Sequence, residues 1–183
     1  MASVLSHPAV PLAIAVGLGG RVVSPRLTIA ACVASVVPDL DSLGFAAGVP
    51  YSSPFGHRGF THSLFFALLL ALFAAVFARR LGAAAGVVFA GVLVSAASHG
   101  LLDALTTGGM GVAFFSPFSN MRYFLPWQVI LVSPISVTRF FTPRGLAIVR
   151  SELVWIWTPC ALLAALGVTF RRAERSRSSP GAR

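Results

Sequence analysis

Polar residues interrupt this chain at intervals that leave five apolar stretches. The first runs from Pro8 to Gly20 and the second from Leu27 to Val37. Each falls short of the roughly 20 residues a helix needs to cross a bilayer. They are expected to form a helical hairpin or to be partly re-entrant. The third, Ser63 to Ala78, and the fourth, Ala83 to Ser98, are joined by the tight basic turn Arg79-Arg80-Leu81-Gly82. The fifth, Leu153 to Phe170, makes the clearest span, with Trp155 and Trp157 near one end as interfacial anchors. Between the fourth and fifth, Thr106 to Arg150 is rich in Gly, Pro, Phe and Ser, and an irregular segment lying in the interface or over the helix ends is expected there. The pattern predicts an all-α, polytopic membrane protein of about four to five apolar helices, with that long irregular segment before the last. Residues 1–170 form one membrane-embedded domain without internal repeats, and the polar, basic residues 171–183 form a disordered tail.

Composition points the same way. Hydrophobic residues make up 56% and charged residues 10% of the 183, where soluble domains carry about 25% charged residues. A soluble domain of this size could not hide so much apolar surface, so lipid is the natural solvent. The net charge of +9 comes from arginine alone, with no lysine, against five acids. No basic run is interleaved with aromatics on a polar face, so no nucleic-acid partner is expected. The N-terminal residues before and through the first apolar run lack the positive leader of a secretory signal, and are read as retained. Cys32 and Cys160 both lie inside apolar stretches and read as small hydrophobes rather than a disulfide or metal pair.

Charge position adds orientation. Arg21 and Arg26 separate stretches one and two, Arg79 and Arg80 separate three and four, and Arg171, Arg172, Arg175 and Arg177 follow five. If these turns are cytoplasmic, the opposite ends face outward, and those ends carry His7, Asp39, Asp41, His57, His62, His99, Asp103 and Glu152. All four histidines and all three aspartates then meet at one extracytoplasmic face. Arg139, Arg144 and Arg150 run against this orientation.

Three short stretches carry the chemistry. In SHGLLDALTTGG, His99 and Asp103 stand at i and i+4, on one helix face, where both can reach one ion such as zinc, iron or manganese. A His–Asp ion pair or a helix-end cap explains the same spacing. In VVPDLDSLGF, Pro38 is expected to follow the end of a helix, and Asp39 and Asp41 can approach one site from an extended turn. Capping and turn formation are the competing explanation. In GHRGFTHS, Gly56 and Gly59 permit a tight backbone that brings His57 and His62 to a common centre. Thr61 or Ser63 can cap the following helix, and Arg58 is the kind of fork that clamps a phosphate or carboxylate. Ionisable groups at the edge of lipid are costly and tend to be functional, so together these residues are read as a metal site.

The ordered set His7-Pro8, Pro38-Asp39-Leu40-Asp41, His57-Arg58-Gly59-Phe60-Thr61-His62-Ser63 and Ser98-His99-Gly100-Leu101-Leu102-Asp103 resembles a bacterial family of inner-membrane-associated, metal-dependent hydrolases, some of whose members are under LexA control. That family is in turn similar to the zinc-dependent phospholipase C and single-strand nuclease superfamily, an all-helical fold with His and Asp ligands at helix ends. The resemblance covers most of the chain, from His7 to Glu152 and into the last span. It implies a multi-pass protein of the bacterial inner membrane with a divalent metal, zinc first and manganese or iron next. The implied ligands are His7, Asp39, His57, His99 and Asp103, with His62, Asp41 and Glu152 completing a second ion site or the surrounding shell.

The expected activity is hydrolysis of a phosphoester or related bond in an amphiphilic or lipid-linked substrate. Asp41 is the candidate general base, Arg58 the group that holds a non-reacting phosphate oxygen, and His62 a further catalytic candidate. No Gly-x-Ser-x-Gly elbow or Walker loop is present to support another mechanism. The rival readings are a metal or proton transporter and a non-catalytic membrane scaffold. A transport pathway should place polar groups at several depths, whereas here they gather at one face.

Overall fold

The computed structural model describes residues 1–134 and 140–178. Arg139, counted above against the orientation, and the last residues of the predicted tail lie outside them. The described residues are helical, with no β-strand beyond two isolated bridges, Thr106 to Ile130 and Val112 to Tyr123. The α-helices are α1 (Ala9–Leu18), α2 (Pro25–Ala34), α3 (Leu64–Val76), α4 (Ala78–Leu81), α5 (Ala85–Ala104), α6 (Pro143–Glu152) and α7 (Thr158–Arg177). Short 3-10 segments cover Val37–Phe45 and Phe60–His62, and a π turn, Leu153–Trp157, joins α6 to α7.

Among the described residues, three helical stretches are long and apolar enough to cross a membrane: Pro25–Phe45, Ala85–Ala104 and Pro143–Arg177. At 1.5 Å per residue, the 20 residues of α5 reach about 30 Å, the thickness of the hydrocarbon layer. The helices α1 and α3 are apolar but shorter. This is the helical membrane architecture that the pattern predicts. Its outer faces are apolar side chains such as Ile29, Phe73, Val76, Leu163 and Phe170, each more than 60% exposed. In water that surface would drive aggregation, and in lipid it is the matching solvent.

Local chemistry sets the boundaries. Ser24 caps α2 by accepting from the Leu27 amide at 3.1 Å, with Pro25 in the first turn, and its own hydroxyl donates to the Leu81 carbonyl. Of Thr61 and Ser63, Ser63 caps α3, accepting from the Phe66 amide at 3.0 Å. Pro38 does not end in an extended turn as expected. The chain tightens into the 3-10 segment Val37–Phe45, so Asp39 and Asp41 leave it about 120° apart and face opposite nitrogens of His62. Two further expectations are corrected. Part of the stretch read as irregular is the helix α6, and α7 runs on to Arg177, well into the stretch read as a disordered tail. Trp155 is exposed as an anchor should be, but Trp157 turns inward and donates to Ser6 Oγ at 3.1 Å.

The core has three parts, the smallest of which, Ala104, Val112 and Phe114, lies beside the end of α5. Val23, Leu27, Ala71, Val88 and Val92 knit α2, α3 and α5 together. Ala2, Ala9, Ile130 and Ile156 pack the chain start under the last helix. Against α1, α7 packs backbone to backbone, because a Cβ on Gly167 would stand 2.7 Å from Gly17 Cα. Small residues let helices approach this closely where burial from lipid contributes no hydrophobic drive.

The basic turns gather at one end of the bundle. Arg26 donates to the Arg80 carbonyl at 3.4 Å, and Arg171 to the Val16 carbonyl at 2.7 Å. The histidines and aspartates stand at the other ends of the same helices. Gly167→Ala is expected to lower the thermal midpoint in detergent clearly, because backbone must move to admit the methyl group. Gly91→Ala, in open space on α5, should leave the midpoint unchanged or raise it.

Candidate metal centre

Four elements deliver the site. His7 enters on the turn before α1, Asp39 and Asp41 on the 3-10 segment after α2, and His57 to His62 on the loop before α3. His99 and Asp103 lie one turn apart near the end of α5, both fully buried. The loop before α3 is held tightly, since a Cβ on Gly59 would lie 2.2 Å from the Pro54 carbonyl oxygen. Arg122 fastens it from outside, donating to the carbonyls of His57 at 2.8 Å, Tyr51 at 2.9 Å and Ser53 at 3.1 Å.

Two overlapping sets of ligand atoms each fall within a sphere suited to one ion: Asp39, His57, His62 and Asp103, and His7, His99 and Asp103. His7 Nε2 stands 3.7 Å from Asp39 Oδ2 and 3.8 Å from Asp103 Oδ1. His62 Nε2 is 3.7 Å from Asp39 Oδ1 and 3.5 Å from Asp103 Oδ2, and His99 Nε2 is 3.5 Å from Asp39 Oδ1. These spacings exceed a hydrogen bond. They match the edge of a tetrahedron around an ion with ligands at about 2.1 Å, which is about 3.4 Å. Both oxygens of Asp39, both nitrogens of His7, His57 Nε2 and Asp103 Oδ2 are buried without a hydrogen-bond partner. Native proteins rarely leave such atoms unpaired.

The other ring nitrogens are tied back. His57 Nδ1 meets Asp41 Oδ1 at 2.7 Å, His62 Nδ1 meets Asp41 Oδ2 at 3.1 Å, and His99 Nδ1 meets the Ser35 carbonyl at 2.8 Å. Each tie aims the Nε2 inward, as partners behind ligating histidines do in metal sites. His99 also stacks on His7 with centroids 3.7 Å apart, and its Nε2 lies 3.0 Å from that of His62.

Charge balance favours a cation. Among the side chains, the three aspartates are at most 7% exposed, and Arg58 is the one buried guanidinium against them. Three aspartates against Arg58 leave these side chains net negative even with one histidine protonated. The same field acts on the histidines outside the spans. Burial pulls His62 down, but the neighbouring carboxylates of Asp103, Asp39 and Asp41 outweigh it and raise its pKa to about 10. His7 falls to about 3, first by burial and then by the neighbouring His99.

The structure brings together most of the residues singled out from the sequence and redirects three. Asp41 accepts from His57, from the Thr61 hydroxyl at 2.6 Å and from the Arg58 amide at 3.2 Å. It orients the rings of His57 and His62, and its lone pairs are taken up in these contacts. Arg58 does not face outward. Fully buried and at φ 64°, it points its Nε to Asp103 Oδ2 at 3.1 Å, Nη1 to the Gly108 carbonyl at 2.9 Å and Nη2 to Thr106 Oγ1 at 2.8 Å. Glu152 stands outside both ligand sets. It accepts from the Ser3 amide, from Ser3 Oγ at 2.6 Å and from Ser6 Oγ at 2.8 Å, and so pins the segment that carries His7. Ser3, Ser6, Ser35, Thr106 and Arg122 were not singled out from sequence. Single hydroxyls, one carbonyl and an isolated arginine among aromatics carry no spacing signal.

The fold and the site together define a polytopic helical membrane protein with a buried His/Asp cluster at one end. The chain belongs to the YdjM inner membrane protein family, whose model matches residues 1–175. It is 46% identical over 168 residues to "Inner membrane protein YbcI" of Escherichia coli (strain K12), across 91% of this chain and 96% of that protein. Both names speak of the bacterial inner membrane, where this protein resides, and neither of a reaction. No solved structure matches.

Asp103 is the residue on which this arrangement is most sensitive. In chelator-treated protein, Asp103→Leu should cost about 3–5 kcal/mol, because Arg58 stays buried with its charge unpaired. Adding Arg58→Met should recover part of that loss, read as the thermal midpoint of the double against the single variant.

Proposed function

We propose that this protein is a membrane-embedded, metal-dependent hydrolase, acting on a phosphoester or related bond of an amphiphilic or lipid-linked substrate. The single observation that carries the reading is the cluster of buried ligand atoms of His7, Asp39 and His57 that lack hydrogen-bond partners, set with Asp103 at coordination spacing. His7, Asp39, His57, His62, His99 and Asp103 are the residues that would hold the ion, with zinc the first candidate and manganese or iron the next. Mixed imidazole and carboxylate donors suit all three. A divalent ion in such a site supplies Lewis acidity and lowers the pKa of water toward about 7. The chain's own part is to aim the imidazoles through Asp41 and the Ser35 carbonyl, to hold Asp103 with Arg58, and to exclude bulk water. Arg58 then acts through Asp103 rather than on substrate, and His62 acts as a ligand. An apolar cavity of about 410 Å³ lined by Pro8, Val36, Val37 and Leu40 adjoins His7 and Asp39 in sequence. It supports a substrate with an apolar tail that arrives from the bilayer.

Full burial favours one other reading. His7, His99 and Asp103 are wholly enclosed, as ligands of structural ions are, so the ion could instead pin helix ends in a non-catalytic scaffold. Elemental analysis of detergent-purified protein tests both. Stoichiometric zinc, manganese or iron is expected in the wild type and not in His99→Ala or Asp39→Ala, with affinity about 10–100-fold weaker in Asp41→Asn. Metal-free wild type sinks both readings. Bound metal with hydrolysis of phospholipid or chromogenic phosphodiester probes, abolished by chelator, supports the hydrolase. Bound metal whose removal only unfolds the protein supports the scaffold.

The proposed orientation sets the metal centre at the extracytoplasmic face and the basic end in the cytoplasm. Reporters fused after Arg177 should be active as cytoplasmic fusions, and an extracytoplasmic result overturns it.

A further inference from the structure

The basic end of the bundle holds a second site. Between α1, the turn after it and the end of α7 lies a cavity of about 620 Å³, within the range of ligand-binding pockets. Its walls are of two kinds. Leu18, Val22 and Phe170 make an apolar side, and Arg21, Arg171 and Arg175 make a cationic rim, with Glu174 beside them. The arginines are not spent on internal pairs. Arg21 and Arg175 have no side-chain partner among the described residues. Arg171 is fixed by its bond from Nη2 to the Val16 carbonyl at 2.7 Å, while its Nε is buried with no acceptor. The cavity is thus lined by one guanidinium held in place by the fold and two left without an acceptor among the described residues. Arginine forks match phosphate oxygens in both geometry and charge. The apolar wall continues into Gly167 and the outer face of α7, whose Leu163 and Leu166 are exposed to lipid, so a ligand with acyl chains fits and a purely polar anion leaves half the site unfilled.

We propose that this cavity binds the headgroup of an anionic phospholipid, with its phosphate on Arg171, Arg21 and Arg175 and its acyl chains along α7. Basic pockets between helix ends at the membrane surface are suited to such headgroups. The site lies at the opposite end from the metal centre and is independent of what that centre does.

Native mass spectrometry of the full chain, released from detergent with defined lipids, tests it. Wild type should retain phosphatidylglycerol at least ten-fold better than phosphatidylethanolamine. Arg21→Ala with Arg175→Ala, which removes no hydrogen bond seen in the fold, should abolish that preference while the thermal midpoint and metal content stay unchanged. Arg79→Ala with Arg80→Ala, in the neighbouring basic turn outside the cavity, should keep it. Equal retention of the two lipids overturns the proposal. So does equal loss in the Arg79/Arg80 variant, which marks diffuse surface charge. Inorganic phosphate that displaces the lipid at millimolar concentration and binds as well alone reduces the cavity to a simple anion site and overturns the lipid assignment.

Discussion

Asp103 is a carboxylate with no exposed surface near the end of an apolar helix, and most of the polar structure exists to make that tolerable. Burying such a charge without compensation costs several kcal/mol. The compensation comes from three directions. Arg58 reaches it from the loop before α3, the Ala2 amide donates at 2.7 Å from the chain start, and His7 and His62 close around it. These partners come from two segments, the loop before α3 and the chain start, so the one carboxylate on α5 sets where both must end. Arg58, in turn, reaches the turn after α5 through Thr106 and Gly108, which carries the same constraint onward.

The arginine that looks most like a substrate clamp in sequence is therefore a structural counter-charge. Its left-handed backbone is a conformation that costs a non-glycine residue energy and persists only where the surroundings dictate it. Here the surroundings do so on both sides. The Arg58 amide is held by Asp41 and its carbonyl accepts from the Ala113 amide at 3.0 Å. The result is a loop whose two histidines are aimed by one aspartate, a shell of orientation behind a shell of ligands. Glu152 does comparable work at the far side by holding the segment of His7 rather than joining the cluster.

The two ends of the bundle divide the charge of the molecule. One end collects carboxylates that call for a cation, and the other collects arginines that call for an anion. Between them the described helices expose mostly apolar side chains, the exposed hydroxyls of Thr158 and Thr169 bonding carbonyls of their own helical segment, and Gly17 meets Gly167 backbone to backbone. A bilayer enforces this division, because an ionised group at mid-depth has no water to solvate it.

By itself the sequence determined the helical membrane architecture, the segregation of histidines and aspartates from the basic turns, and the identity of nearly every residue in the cluster. These are properties of hydrophobic runs and of rare residue types, which a linear pattern displays directly. The i, i+4 pair His99 and Asp103 needed only the helical period to be placed together. Tertiary structure alone decided which groups turn open atoms into the cluster and which hold the others in place. Asp41, Arg58 and Glu152 are chemically fit for either role, and only the distances to His57, Asp103, Ser3 and Ser6 separate them. The helix α6, hidden in a stretch rich in breakers, and the 3-10 turn that parts Asp39 from Asp41 were likewise set by packing. Local propensity is weak there, and contacts with distant segments supply the larger energy.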